Sequence, residues 1–196
     1  MHTTTNTLAE CQALDQQDPL RSLRDLFQVP ESMIYLDGNS LGVLPKATPA
    51  RVAAAVTKEW GQDLIQSWNS AGWFQMPLKV GNKIARLIGA KDHEVVAADS
   101  TSINLYKVLS AALSISQADH PEKKIILSER TNFPTDLYIA EALCKERGFT
   151  LKLIEAEELQ TALQQDVAVL MLTHVNYRTG AMLNMKAMTA SAHSVG

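Results

Sequence analysis

Three short polar runs carry most of the side chains in this 196-residue sequence that could hold a ligand. In residues 99–104, Asp99, Ser100, Thr101, Ser102 and Asn104 gather hydroxyls, a carboxylate and an amide at the opening of an apolar stretch that reads as a helix. Free N–H groups and hydroxyls at a helix start, with the positive end of the helix dipole behind them, suit an anion such as a phosphate. Asp99 or Ser100 serving as an ordinary helix cap accounts for the same pattern. In residues 132–136, Pro134 stands where a first helical turn tolerates it, and Asp136 stands near the favourable end of the dipole. Phe133 is then an aromatic ring at a loop position, available either to lie against a flat heteroaromatic ligand or to act as a hydrophobic staple. The third run, residues 172–180, is a polar loop holding Thr173, His174, Asn176 and Arg178. His174 invites a general-base role, but a histidine with no identifiable partner reads as structural.

These runs need elements to position them. Leu8, Leu14, Leu20, Leu23, Leu26 and Phe27 have a loose helical spacing broken at Asp18 and Pro19, which predicts two short helices. Residues 33–36 predict a brief strand that runs into a turn-rich stretch, residues 37–42, whose two glycines allow backbone to come close to something. Thr48 and Pro49 read as N-cap and N1 of a helix in which Val52, Val56, Trp60 and Leu64 recur every four residues. A second helix over 78–88 ends at Gly89. Beyond it the rhythm alternates. Strands are predicted over 95–98, 124–127, 150–154 and 167–172, and helices over 103–115, 134–147, 159–163 and 185–193.

Strands alternating with helices predict an α/β fold, a mainly parallel sheet with helices on both faces. Right-handed crossovers put the loops that follow the strands along one edge, where all three polar runs then lie. The expected organisation is an N-terminal helical arm and loop segment over 1–47, then the first part of a larger α/β domain over 48–196 that continues past Gly196.

A hydrophobic fraction of 46% with 20% charged residues is that of an ordinary globular protein. The net charge of −3 is spread along the chain without a basic stripe, which argues against a nucleic-acid partner. Cys11 and Cys144 are too few and too far apart for a disulfide scaffold, so both read as reduced thiols and the setting as cytoplasmic. No metal-ligand spacing, P-loop or dinucleotide-binding glycine pattern occurs. The polar start, residues 1–7, has no signal-peptide character and no apolar stretch has the length to span a bilayer, so neither secretion nor membrane insertion is expected.

Five segments occur together in an order and spacing that resemble one family. They are Ile34-Tyr35-Leu36-Asp37-Gly38-Asn39-Ser40-Leu41-Gly42, Trp60 through Trp68-Asn69-Ser70-Ala71-Gly72-Trp73, Asp99 through Asn104, Phe133-Pro134-Thr135-Asp136, and Thr173 through Gly180. The chain resembles the kynureninases over nearly its whole length, and the run from Trp68 to Trp73 is similar to their bacterial branch.

That resemblance implies an aspartate-aminotransferase-like, fold-type I enzyme dependent on pyridoxal 5'-phosphate (PLP). It would work as a homodimer and hydrolyse L-kynurenine to anthranilate and L-alanine in tryptophan catabolism and NAD biosynthesis, with preference for 3-hydroxykynurenine left open. By the same likeness Thr101 and Ser102 hold the cofactor phosphate, and Phe133 stacks on the pyridine ring with Pro134 and Thr135 beside it. Asp136 lies near the ring and Thr173 contacts the cofactor. Ser40 and Trp68 match positions lining the substrate pocket, although Trp68 also continues the four-residue spacing of the preceding helix and so fits a core role.

The family's ring-nitrogen aspartate, the neighbouring histidine and the Schiff-base lysine are expected after Gly196. Lys107 and Lys186 match none of its motifs, so no catalytic residue is expected within residues 1–196, which alone would be inactive. Two other readings remain: a cysteine-desulfurase-like or aminotransferase-like fold-type I enzyme, and a non-catalytic remnant.

Overall fold

The computed structural model describes residues 7–196, so residues 1–6, on which the reading of a start without a targeting signal mostly rests, lie outside the described residues. Contacts divide the chain into two compact units, one ending at Val96 and the other comprising Ala97–Gly196. That division falls inside the span 48–196.

In the first unit, α1 (Leu8–Gln17) is opened by a capping box. The Thr7 hydroxyl accepts from the Glu10 N–H at 3.3 Å, while the Glu10 carboxylate accepts from the Thr7 N–H at 2.7 Å. Beyond the break at Pro19 the second predicted helix is a 3-10 turn, Arg21–Leu26. A two-residue strand β1 (Phe27–Gln28) then pairs antiparallel with β2 (Leu44–Pro45).

The strand predicted over 33–36 does not form. Those residues have no regular secondary structure and find no ladder partner among the described residues, and Ile34 and Leu36 are 90% and 88% exposed. Instead the Tyr35 hydroxyl donates to the carbonyls of Leu41 at 2.6 Å and Asp37 at 3.0 Å, which curls the run into a loop. A strand is made by pairing, and the apolar pattern alone supplies none. Gly38 and Gly42 also depart from expectation, since a Cβ on either would meet nothing within 4 Å.

The next helix, α2 (Thr48–Ala54), has Pro49 in its first turn, with Ala47 rather than Thr48 in the N-cap position. It loosens into a π-helical turn, Ala55–Trp60, and ends at Gly61, so Leu64 (φ +50°) lies beyond the helix that its spacing predicted. Next come a 3-10 turn, Leu64–Gln66, and the single-turn helix α3 (Ser67–Ser70). The amphipathic α4 (Met76–Ile88) is closed by Gly89 at φ +74°, as predicted.

The strand predicted over 95–98 is likewise absent. His93 and Asp99 both take positive φ, +71° and +47°, and bend the chain at either end of the run. The same segment explains Gly81. A Cβ at Gly81 would stand 2.0 Å from the Val95 carbonyl oxygen, so α4 packs backbone to backbone on the residues that follow it.

In the second unit the predicted alternation is realised. Its elements are α5 (Thr101–Asp119), β3 (Ile125–Glu129), α6 (Pro134–Arg147), β4 (Thr150–Ile154), α7 (Leu159–Ala162), β5 (Val167–Met171) and α8 (Met185–Ser194). The strands are parallel in the order β4-β3-β5. Adjacent side chains on a strand face opposite ways, and β3 supplies both cores. Ile126 packs with Leu109 and Leu113 of α5 and Leu143 of α6, whereas Leu127 packs with Leu159 of α7, Val167 and Met188 of α8. Helices therefore cover both faces.

Replacing Gly81→Ala should destabilise the protein by about 1–3 kcal/mol, the usual range for forcing a methyl into packed space. Gly42→Ala, with open space around it, should stay within about 0.5 kcal/mol of the parent in the same denaturant melts. Equal effects at the two glycines would contradict the close approach of α4 to Val95.

Candidate functional site

The three strands of the second unit run the same way, so the loops leaving β3 and β5 emerge on one edge. The N-termini of two helices reach that edge as well. Arg147, at the end of α6, donates to the Ser110 carbonyl and the Ser114 hydroxyl of α5, both at 2.9 Å. Pro134 begins α6 thirteen residues earlier, and the same count back along α5 arrives at residues 97–101. The two helices thus start level with one another.

At the start of α5 the cap is Ser100, whose hydroxyl accepts from the Ile103 N–H at 3.4 Å. Asn104 donates back to the Ala98 carbonyl at 2.7 Å, and Asp99 is ion-paired with Lys107. The capping reading of Ser100 is therefore correct, and it leaves the next two residues free. Among the described residues, the hydroxyls and N–H groups of Thr101 and Ser102 have no hydrogen-bond partner in the protein. Four donors at the head of a 19-residue helix form an anion-accepting set. The ion pair with Lys107 offsets the Asp99 charge that would otherwise oppose it.

At the start of α6, Phe133 occupies the N-cap position, Pro134 is N1, and Thr135 and Asp136 complete the turn half-buried. The Phe133 ring is 48% exposed and meets Tyr177 edge-on, with centroids 5.2 Å apart and planes at 70°. The ring is thus in contact with a neighbour from the loop after β5. Burial pushes the Asp136 carboxyl above its ordinary range. The helix dipole favours the carboxylate there, so the direction of the shift means desolvation prevails.

The loop after β5 is a tight hairpin, with an isolated antiparallel bridge between Val175 and Met182 and a turn through Gly180 at φ +69°. Asn176 stabilises the turn by accepting from the N–H groups of Arg178 and Thr179, at 2.9 and 3.2 Å. Thr173 leads out of β5, and its hydroxyl donates to the Asn132 side-chain oxygen. Asn176 reaches across to the Thr131 hydroxyl at 3.2 Å. Together with the Phe133–Tyr177 contact, this joins the two loops at three places.

A cavity of about 380 Å³ opens there, lined by Arg130, Thr131, Asn132, Pro134, Tyr177 and Arg178 among others. A larger one, about 640 Å³, lies elsewhere, along β5 between residues of α5 and α8 such as Ile115 and Met188. It is mainly apolar and holds none of the predicted cofactor residues. His174 lines that larger cavity and is exposed, and among the described residues its side chain has no hydrogen-bond partner, so no general-base geometry forms around it there.

Ser40 and Trp68 belong to the first unit. The Ser40 hydroxyl donates to the Asp37 carboxylate at 2.8 Å inside the loop closed by Tyr35. Trp68 projects from α3 and is 49% exposed, whereas its neighbour Ser67 is buried and donates to the Glu59 carbonyl. The Glu59 carboxylate accepts from the Trp73 indole N–H at 2.7 Å and pairs with Arg51 at 2.9 Å. Both hold its pKa below the usual range, the indole bond most strongly. Glu59 therefore ties Ser67 through its backbone carbonyl and Trp73 through its carboxylate.

Asn132 and Tyr177 fall inside the polar runs 132–136 and 172–180, where neither has an evident role in the sequence. An asparagine just before the first residues of a helix is a signal for side-chain bonding to the backbone, and it could have been read. The edge contact of Tyr177 has no local signal.

Residues 65–196 match the family model described as Aminotransferase class-V. The chain belongs to that family. Over 193 residues, 97% of this chain, it is 55% identical to a kynureninase of Pseudomonas fluorescens. Over the same length it is 48% identical to kynureninases of Burkholderia mallei (strain SAVP1) and Burkholderia pseudomallei (strain K96243). In each case it covers 46% of the relative, so the chain spans about half the length of the curated relatives it matches. Among the described residues no helix is long and apolar enough to cross a membrane, and no cluster of His, Cys, Asp or Glu could hold a metal ion. The class-V aminotransferase match and the kynureninase relatives both imply dependence on PLP.

In this class-V aminotransferase chain the raised pKa of Asp136 has a pH signature. The fold favours the protonated acid, so its contribution is complete at low pH and is lost as pH rises through the folded-state value. Asp136→Asn removes that loss. Thermal melts should show the variant gaining on the parent as pH rises from the ordinary aspartate range toward neutrality. A difference that stays constant or shrinks over that range would contradict desolvation at this site.

Proposed function

We propose that the full-length protein is a PLP-dependent hydrolase that converts L-kynurenine to anthranilate and L-alanine, acting as a homodimer in the cytoplasm. One observation carries the reading. A helix N-terminus with unspent donors and an exposed, edge-supported aromatic ring share one sheet edge, in a chain 55% identical to a kynureninase over nearly all its length.

The residues fit the cofactor. Its phosphate needs several donors and a positive potential, which the hydroxyls and N–H groups of Thr101 and Ser102 at the α5 terminus provide. Its flat ring needs an aromatic surface that does not swing, and Phe133 is pinned by its N-cap position and by Tyr177. Pro134 and Thr135 fix the turn that holds that ring, and Thr173 closes the site from the loop after β5. Asp136, disfavoured as a free anion by burial, is stabilised on ionising by any positive charge brought near it, such as a protonated ring nitrogen. When bound, PLP supplies the electron sink, while the protein supplies orientation and electrostatics. Ser40 and Trp68 are assigned to the aromatic end of kynurenine. The half-exposed indole supports that assignment over a core role.

Replacing Thr101 and Ser102 together with alanine in the full-length protein should weaken PLP binding by about tenfold or more, since charge-assisted hydrogen bonds contribute roughly 1.5–3 kcal/mol each. An unchanged PLP titration would remove both residues from the site. Trp68→Ala should raise KM for kynurenine severalfold with little change in melting temperature, as expected for a lost stacking surface worth about 0.5–1.5 kcal/mol. The reverse pattern, a loss of about 3–5 kcal/mol in stability with parental KM, would mark Trp68 as core.

A further inference from the structure

The buried side chain of Asn132 is the point at which the loops of the cofactor edge meet, and its hydrogen bonds have a forced polarity. The Phe133 N–H can only donate, and it donates to the Asn132 side-chain oxygen at 2.7 Å. That fixes which way the amide is turned. Its nitrogen must then face Ser128, to whose hydroxyl it donates at 3.0 Å. The same oxygen also receives the Thr173 hydroxyl, so Thr173 spends its one proton on Asn132. What Thr173 retains for a ligand is acceptor capacity alone. One amide thus ties the end of β3, the ring-bearing start of α6 and the second residue after β5.

We infer that Asn132 is a positioning residue of the cofactor site: its side-chain oxygen seats Phe133 and orients the Thr173 hydroxyl as a hydrogen-bond acceptor. The inference rests on the reading of this edge as the PLP site. Nothing in it requires Asn132 to touch the cofactor. Asn132 acts by joining two loops that each hold the cofactor on one side. The Asn176–Thr131 hydrogen bond and the Phe133–Tyr177 contact run between the same loops, so the arrangement involves more than a single bond.

The test is a double-mutant cycle on PLP affinity, read by tryptophan fluorescence quenching as PLP is added to the full-length apoenzyme. Asn132→Ala and Thr173→Val should each weaken binding by about tenfold, and the double variant should bind no more weakly than Asn132→Ala alone, because both changes break one link. Losses that multiply in the double variant would overturn the inference. So would an Asn132→Ala variant that melts at lower temperature yet binds PLP as the parent does.

Asn132→Asp keeps an accepting oxygen in place and serves where the alanine variant does not fold. It should bind PLP within about threefold of the parent and still lose about tenfold when Thr173→Val is added. An aspartate variant insensitive to Thr173→Val would also overturn the inference. If Thr173→Val and the Thr101/Ser102 replacement both leave affinity unchanged, the PLP reading itself fails. If Thr173→Val weakens binding and Asn132→Ala does not, that reading stands and the positioning role alone is wrong.

Discussion

The second unit depends on β3 being paired in parallel on both sides. Parallel pairing requires each strand to be reached by a crossover, and the crossover helices then run antiparallel to the strands and start where the strands end. That constraint brings the head of α6 and the loops leaving β3 and β5 to one edge, and the packing of α5 on α6 through Arg147 sets the head of α5 level with them. It also explains why β3 is so thoroughly buried. With a neighbour on each side and helices on each face, Ile126, Leu127 and Ser128 are fully enclosed. Polar side chains at the end of such a strand must find partners, and the Ser128–Asn132–Thr173 network meets that requirement at the place where a ligand would be held.

The second unit was largely legible in the sequence because its signals are local and redundant. Pro134 and Gly148 bracket α6, and the apolar runs over 150–154 and 167–171 are short and bounded by turn residues. The first unit was less legible, for a physical reason. Two failed strands, over 33–36 within it and 95–98 at its end, look like strands by composition, but a strand exists only where another offers its N–H and C=O groups. Sequence does not reveal that Tyr35 bonds back to Leu41, or that His93 and Asp99 take positive φ. Leu64 shows the same limit. Its spacing fits the helix, yet the chain breaks at Gly61 and Leu64 lies beyond the break.

The candidate site divides along the same line. Thr101, Ser102, Phe133 and Asp136 could be named because helix starts announce themselves through caps and prolines. Asn132 and Tyr177 acquire meaning only when two loops, separated by more than forty residues, are seen to touch. Glu59 is a similar case in the first unit. A surface-type carboxylate in a helical run proves to hold Trp73 and Arg51, while the backbone carbonyl of the same residue accepts from Ser67. Residues that position others carry weak sequence signals, since their partners lie far away along the chain.

The central claim is that one sheet edge, built from the head of α5, the head of α6 and the loop after β5, receives PLP. A crystal structure of the full-length protein grown with PLP tests it most directly. The account predicts the phosphate within hydrogen-bonding distance of Thr101 and Ser102, with the pyridine ring against Phe133. A cofactor bound elsewhere, such as in the apolar cavity between α5 and α8, would contradict it.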